Sequence, residues 1–140
     1  MIKGLHHNAY RCRDSEETRR FYEDFLGLPL AQSLWIKESM SGRRTDTLHT
    51  FYRMDDGSCL AFFEAPDMPF EFKPQHDFDL HIALEVDRAT LDAMFEKGRD
   101  EGIGQRQSEE IFVEAARFLG IPAAIGVVMK TLDHCSVSNF

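Results

Sequence analysis

The sequence has no long hydrophobic run and no excess of basic residues, and both absences narrow its possible functions. The apolar stretches extend over a few residues, whereas a membrane-spanning helix needs about 20. Residues 1–4 lead directly into a predicted strand, which is not the pattern of a signal peptide. The 16 Lys and Arg residues are outnumbered by 24 Asp and Glu residues, and nucleic acids and anionic membranes favour clustered basic side chains. We therefore expect a cytoplasmic protein that binds a small-molecule substrate, with no nucleic acid and no membrane partner.

Cysteine is also scarce. The three cysteines, Cys12, Cys59 and Cys135, are far apart, odd in number and without a CxxC pair. This pattern is typical of reduced thiols and does not provide the ligand spacing of a zinc site. We therefore expect free cysteines rather than a disulfide framework.

A repeat with an offset of 74 residues organises the rest of the sequence. The offset relates His7 to His81, Ala9 to Ala83, and Phe21 to Phe95. Apolar and polar residues alternate around both histidines, which is the pattern of a half-buried strand. Two equivalent strands would each carry one imidazole at the same position, and two such imidazoles suggest a shared metal ion.

The first copy predicts the order strand, helix, strand, strand, strand. The predicted strands cover residues 2–12, 30–37, 48–54 and 59–64. Asp14 begins the helix with a capping signal, and Gly27 ends it. A polar loop is expected over residues 38–47, an Asp-Gly turn around Gly57, and a proline-containing linker over residues 66–77.

The second copy follows the first only to about Ile103. It predicts a strand over residues 80–86 and a helix that Asp87 caps. Residues 108–119 then carry a capping signal, an apolar stripe at helical spacing and a stop signal, which predict a helix where the repeat would require strands. Residues 124–132 are predicted to form a strand. The break suggests a change of reading frame after Ile103, which the coding sequence in its other frames would test.

Four strings carry a resemblance to a known superfamily. They are Gly-Leu-His-His at 4–7, Phe-Tyr-Glu-Asp-Phe-Leu-Gly-Leu-Pro-Leu at 21–30, Asp-Gly-Ser-Cys-Leu-Ala-Phe-Phe-Glu at 56–64 and His-Ile-Ala-Leu-Glu-Val at 81–86. With the repeated βαβββ pattern, the chain resembles the vicinal oxygen chelate superfamily, which includes glyoxalase I, bleomycin and fosfomycin resistance proteins and extradiol dioxygenases. The resemblance covers roughly residues 1–103.

The resemblance implies an α+β fold in which two tandem βαβββ modules form one curled sheet. Module one would cover residues 1–65, the linker residues 66–77, and module two residues 78–140, all within a single domain. The second module is atypical after about residue 103.

The resemblance also implies a divalent metal ion, which the family binds through the first and last strands of each module. Carried over by position, the ligands are His7, Glu64 and His81. The fourth family ligand is a glutamate in the final strand, where this sequence has Met129. Two imidazoles and a carboxylate suit Fe(II), Mn(II), Zn(II) or Ni(II) and leave positions open for two substrate oxygens.

Each candidate residue also has a purely structural interpretation. His7 and His81 would otherwise be hydrogen-bonded histidines on half-buried strands, and Glu64 a solvated carboxylate at a strand end. His49 shares a strand face with Phe51, so it is either a catalytic general acid or base that lines the pocket or a surface histidine.

The remaining aromatic and imidazole side chains are expected to be structural. His6 is predicted to lie on the opposite face of the first strand from His7. Tyr52, Phe62 and Trp35 are predicted for the core, with a pocket lining as the alternative.

Two functions fit these patterns. The first is a metal-dependent enzyme of the glyoxalase or extradiol dioxygenase type, acting on a small chelating substrate that is catechol-like or thiohemiacetal-like. The second is a metal-free binding protein of the bleomycin-resistance type, or a metal site disabled by the altered C-terminal part. In either case we expect a homodimer, because an atypical second module leaves sheet edges unpaired.

Overall fold

The computed structural model describes residues 1–71, 81–102 and 126–131. In chain order these residues form β1 (His7–Arg11), α1 (Ser15–Arg19), a π-helical continuation of α1 (Arg20–Phe25), β2 (Leu30–Glu38), β3 (Arg44–Arg53), β4 (Cys59–Glu64), β5 (His81–Val86), α2 (Arg88–Asp100) and β6 (Gly126–Thr131). The predicted α+β class is confirmed. No helix in these ranges is long and apolar enough to cross a membrane.

The described residues fall into two compact units, residues 1–71 and residues 81–102 with 126–131. The described part of the first unit is a four-stranded sheet with the order β1-β4-β3-β2, together with α1 and its continuation. In this sheet β1 runs parallel to β4, while β3 is antiparallel to both β2 and β4. The described part of the second unit contains α2 and the antiparallel pair of β5 and β6.

The core of the first unit lies between the helix and one face of the sheet. The Tyr22 ring lies 5.5 Å from the Tyr52 ring and 4.6 Å from the Phe62 ring, measured between centroids. Tyr52 and Phe62 are fully buried, so their predicted core positions are confirmed. The helix widens here, because the amide of Leu26 donates to the carbonyl of Phe21, five residues earlier, at 2.9 Å.

The start and stop signals of the helices and the hairpin turn are confirmed. The Asp14 carboxylate accepts a hydrogen bond from the Glu17 amide at 2.8 Å, and Asp87 accepts one from the Thr90 amide at 2.7 Å. Gly57, in the turn between β3 and β4, has a φ of 84°, which an L side chain would adopt only with strain.

The predicted loop over residues 38–47 is too long, because β3 begins at Arg44. Thr45 and Thr47 are buried, their hydroxyl oxygens are 2.7 Å apart, and the Thr45 hydroxyl also donates to Asp67 at 3.1 Å. Polar composition suggested a loop, but threonine is β-branched and its hydroxyl is satisfied here inside the sheet. β1 is shorter than predicted, and the exposed Ile2 lies outside it.

The predicted core position of Trp35 is wrong. Its side chain is 64% exposed on the edge strand β2. The indole N–H donates to an Asp46 carboxylate oxygen at 2.6 Å, and the same oxygen accepts from Lys37, whose ammonium lies 4.2 Å from the Trp35 ring centroid. The tryptophan is therefore held by polar and cation–π contacts at the surface.

The second unit repeats the first only in part. The strand predicted over residues 124–132 is confirmed as β6, but β6 is antiparallel to β5, with Ile82 opposite Lys130. In the first unit the corresponding first and last strands are parallel. The helix predicted over residues 108–119 and most of the linker lie outside the described residues, and the tandem two-module arrangement stays a prediction.

Candidate functional site

The strand register assigns the side chains of the first sheet to two faces. His7 lies opposite Cys59, Phe51 opposite Ala61, and His49 opposite Phe63. Residues opposite each other project to the same side, and successive residues alternate. We call the side that carries His7, His49, Phe51 and Phe63 the histidine face. The other side carries Tyr52 and Phe62 and packs against the helix.

His49 is a buried, neutral imidazole on the histidine face. Its side chain is 6% exposed, and its ring stacks on Phe63 with centroids 3.6 Å apart and planes at 9°. Its Nδ1 lies 2.9 Å from the carbonyl oxygen of Phe62. Because a carbonyl only accepts, Nδ1 carries the proton and Nε2 keeps its lone pair.

Burial lowers the pKa of His49, and the nearby His7 lowers it further, while the Phe62 carbonyl opposes this shift. The lowering outweighs the effect of the carbonyl, because removing a charged imidazolium from water is costly. His49 is therefore in its neutral form at neutral pH, as a general base requires.

His7 is the solvent-facing imidazole of the histidine face. Its ring centroid lies 6.1 Å from that of His49 and 5.4 Å from that of Phe51. The prediction that His49 shares a face with Phe51 is confirmed by the register. Two imidazoles with different exposure thus lie next to each other on one face of the sheet.

The prediction that His6 and His7 lie on opposite faces of the first strand is wrong. The Nδ1 atoms of the two rings are 2.7 Å apart, and the ring centroids 4.9 Å. β1 begins at His7, so the alternation of a strand does not extend to His6. The backbone of His6 is nevertheless held, because its carbonyl accepts a hydrogen bond from the Cys59 amide at 3.0 Å.

The structure does not bring Glu64 to His7. Glu64 follows Cys59, the partner of His7, by five residues, which is about 16 Å along a strand, and an odd number turns its side chain to the helix side. There the Glu64 carboxylate accepts a hydrogen bond from the Ser15 amide at 2.7 Å, at the first residue of α1. The carboxylate thus stabilises a helix N-terminus.

His81 begins β5 in the second unit, and its ring lies outside the part of the chain that is described. Met129 of β6 lies opposite Ala83 in the register. Within the described residues, no group of three or more His, Cys, Asp or Glu side chains could hold a metal ion. The described residues of the first unit therefore offer imidazole donors, which suit transition metals, without a third ligand among them that would complete a site.

A cleft at the far end of β1 was not predicted from the sequence. It has a volume of about 360 Å³, and Arg11, Glu64 and Phe70 contribute to its walls. The Arg11 guanidinium donates to the carbonyls of Ala65 at 2.9 Å and Met68 at 3.0 Å and lies 5.1 Å from the Phe70 ring centroid. In this cleft, Arg11 thus holds the loop after β4 in place, and Glu64 holds the start of α1.

Comparison with known proteins agrees with this fold. A model of the Glyoxalase/Bleomycin resistance protein/Dioxygenase superfamily matches residues 4–108. The chain therefore belongs to this superfamily, which shares the vicinal oxygen chelate fold. It is also 27% identical over 104 residues to the uncharacterized protein YwkD of Bacillus subtilis strain 168, covering 74% of this chain and 75% of YwkD.

Two solved structures share the fold. One is a variant of the fosfomycin resistance protein FosX from Listeria monocytogenes, complexed with Mn(II) and 1S,2S-dihydroxypropylphosphonic acid. Its TM-score is 0.52 at 19% identity, with 76% of this chain and 75% of FosX covered. The other is YycE of Bacillus subtilis, a protein of unknown function. Its TM-score is 0.52 at 19% identity, with 92% of this chain and 82% of YycE covered.

The role of Glu64 can be tested by substitution. We expect Glu64→Ala to lower the free energy of unfolding by about 1 to 2 kcal/mol, because the Ser15 amide loses a charged acceptor. Glu64→Gln should cost less, since its amide oxygen still accepts. Urea denaturation measures both, with the exposed Glu38→Ala as the control. Divalent metal affinity should be the same in Glu64→Gln as in wild type, and a loss of affinity in the folded variant would contradict this placement.

The lowered pKa of His49 predicts a pH-dependent stability. Above its ordinary pKa of about 6.5 the histidine is neutral in both states. Below that pH the unfolded chain binds the proton before the folded chain does, so the free energy of unfolding should fall as the pH is lowered towards about 5. When the free energy of unfolding from urea denaturation is plotted against pH across this range, the slope should be smaller for His49→Gln than for wild type. Equal slopes would mean that the His49 pKa is not lowered by folding.

Proposed function

We propose that the protein is a metal-dependent enzyme of the vicinal oxygen chelate type whose substrate lies against the histidine face. The observation that supports this most strongly is the pairing of exposed His7 with buried His49. Their ring centroids are 6.1 Å apart, and the Nδ1 of His49 is held by a carbonyl. One imidazole is thus accessible to a ligand, while its neighbour is a neutral base with a free Nε2.

The proposed protein ligands of the metal are His7 and His81. Their type suits Fe(II), Mn(II), Zn(II) or Ni(II), and the Mn(II) in the FosX complex supports a divalent ion in this fold. Glu64 is left out, because its carboxylate is bound to the Ser15 amide on the other side of the sheet. When bound, a metal ion would polarise the chelating oxygens of the substrate as a Lewis acid.

His49 is the proposed general base. Its Nε2 lone pair is available, and its lowered pKa keeps the imidazole neutral at physiological pH. Phe51 and Phe63 adjoin its ring, with centroids at 4.1 Å and 3.6 Å, and give the site an apolar wall. A small molecule with two adjacent oxygens fits such a site, and we propose a catechol-like or thiohemiacetal-like substrate.

A second candidate is metal-free binding of a small ligand, as the bleomycin resistance branch of the superfamily name suggests. The observation that favours it is the missing third metal ligand among the described residues. The aromatic side chains of the histidine face and the net charge of −8 would then favour an apolar, cationic ligand. Metal binding separates the two candidates.

We expect the purified, metal-stripped protein to bind Mn(II) or Co(II) in calorimetric titrations. His7→Ala and His81→Ala should each weaken binding at least about tenfold, since each removes a nitrogen ligand. The control is Asn8→Ala, which changes the adjacent residue on the other face of β1. Wild-type protein that binds neither ion would contradict the enzyme proposal and favour the metal-free candidate.

The protein is also proposed to be a cytoplasmic homodimer. The described cysteines Cys12 and Cys59 are free thiols, as expected in a reducing compartment. β2 is an edge strand of the described sheet and carries the exposed Leu34 and Trp35. Such an edge can pair with a second copy of the chain.

Sedimentation velocity at micromolar concentration should therefore show a dimer. Leu34→Lys, which places a charge on the edge strand, should shift the protein towards monomer. Ser41→Lys, in the exposed turn that follows β2, is the control and should leave the dimer intact. A monomeric wild-type protein, or a Leu34→Lys variant that stays dimeric, would contradict pairing through this edge.

A further inference from the structure

The close contact between the rings of His6 and His7 has a consequence for ligand binding. The two Nδ1 atoms lie 2.7 Å apart, which is a hydrogen-bond distance between two nitrogens that can each donate or accept. In a pair of neutral imidazoles, one Nδ1 must carry the proton and the other must offer its lone pair. The pair therefore fixes the tautomers of both rings.

Only one of the two arrangements leaves His7 able to bind a ligand through Nε2. If the His7 Nδ1 carries the proton, its Nε2 has a free lone pair. If the His6 Nδ1 carries it, neutral His7 must hold its own proton at Nε2, and that atom cannot bind a metal. In water, neutral histidine favours the tautomer with the proton at Nε2. The Nδ1–H tautomer of His7 therefore needs a hydrogen-bond acceptor close to Nδ1.

We propose that His6 is this acceptor and acts as a positioning residue for His7. The inference rests on the proposed function, in which His7 binds a ligand. The His6 Nδ1 accepts the Nδ1–H of His7, orients its ring and keeps its Nε2 free. Metal-binding histidines commonly donate their second ring N–H to a carboxylate, a carbonyl or water, and here a neighbouring imidazole takes that place.

The position of His6 is fixed before any ligand binds. Its carbonyl accepts the Cys59 amide at 3.0 Å, which ties its backbone to β4 directly opposite His7. His49 is arranged in the same way, since the Phe62 carbonyl holds its Nδ1 proton at 2.9 Å. Two adjacent imidazoles of the histidine face thus each have an acceptor at Nδ1, and each presents Nε2.

Tautomers are tested directly by long-range ¹H–¹⁵N NMR of the imidazole rings. The spectra are recorded on the metal-free protein at about pH 8.5, about two pH units above the pKa of free histidine. We expect wild-type His7 to be protonated at Nδ1. His6→Phe, which keeps a ring but has no acceptor, should shift His7 towards the Nε2–H tautomer. His6→Asn, whose side-chain oxygen can accept, should preserve the Nδ1–H tautomer.

Mn(II) affinity gives a second readout on the same variants. His6→Phe should weaken binding about tenfold to a hundredfold, and His6→Asn should retain most of it. If His6 only packs against its neighbour, His6→Phe would be the better tolerated variant. A wild-type His7 protonated at Nε2, or a tautomer that His6→Phe leaves unchanged, would overturn the proposal. An Nδ1–H tautomer in a protein that binds no Mn(II) would uphold the role of His6 and contradict the proposed metal site.

Discussion

The first unit depends above all on the parallel pairing of β1 with β4. This pairing sets His7 opposite Cys59 and lets the Cys59 amide bond the His6 carbonyl. Because side chains alternate along each strand, one register decides every orientation at once. It turns His7 towards the histidine face, and it turns Glu64 towards the helix, where its carboxylate accepts a hydrogen bond from the Ser15 amide.

The two faces of the sheet perform different tasks. On the helix side, the fully buried rings of Tyr52 and Phe62 pack with Tyr22 and provide the core. The histidine face carries imidazole and phenyl rings. Its buried imidazole, His49, stays neutral because burial lowers its pKa, and its single N–H has a carbonyl acceptor. A buried polar group is tolerated when it is hydrogen-bonded. With its proton at Nδ1, the imidazole keeps a lone pair at Nε2.

Membership of the superfamily follows from a match that spans most of the chain. His7 begins β1 and His81 begins β5, so the 74-residue repeat places them at equivalent strand positions. The antiparallel pairing of β5 with β6 departs from the parallel pairing of β1 with β4. In β6, Met129 stands at the position where the resemblance implies a glutamate.

Local signals in the sequence determined much of the fold. Capping by Asp14, the turn at Gly57 and the shared face of His49 and Phe51 all depend on neighbouring residues or on strand alternation, and the structure confirms them. Long-range register decided the rest. The separation of Glu64 from His7 depends on how β1 pairs with β4, and the contact of His6 with His7 depends on where β1 begins. A shift of one residue in the pairing of β1 with β4, or in the start of β1, would turn a side chain to the opposite face of the sheet. Only tertiary packing determines which of these arrangements forms.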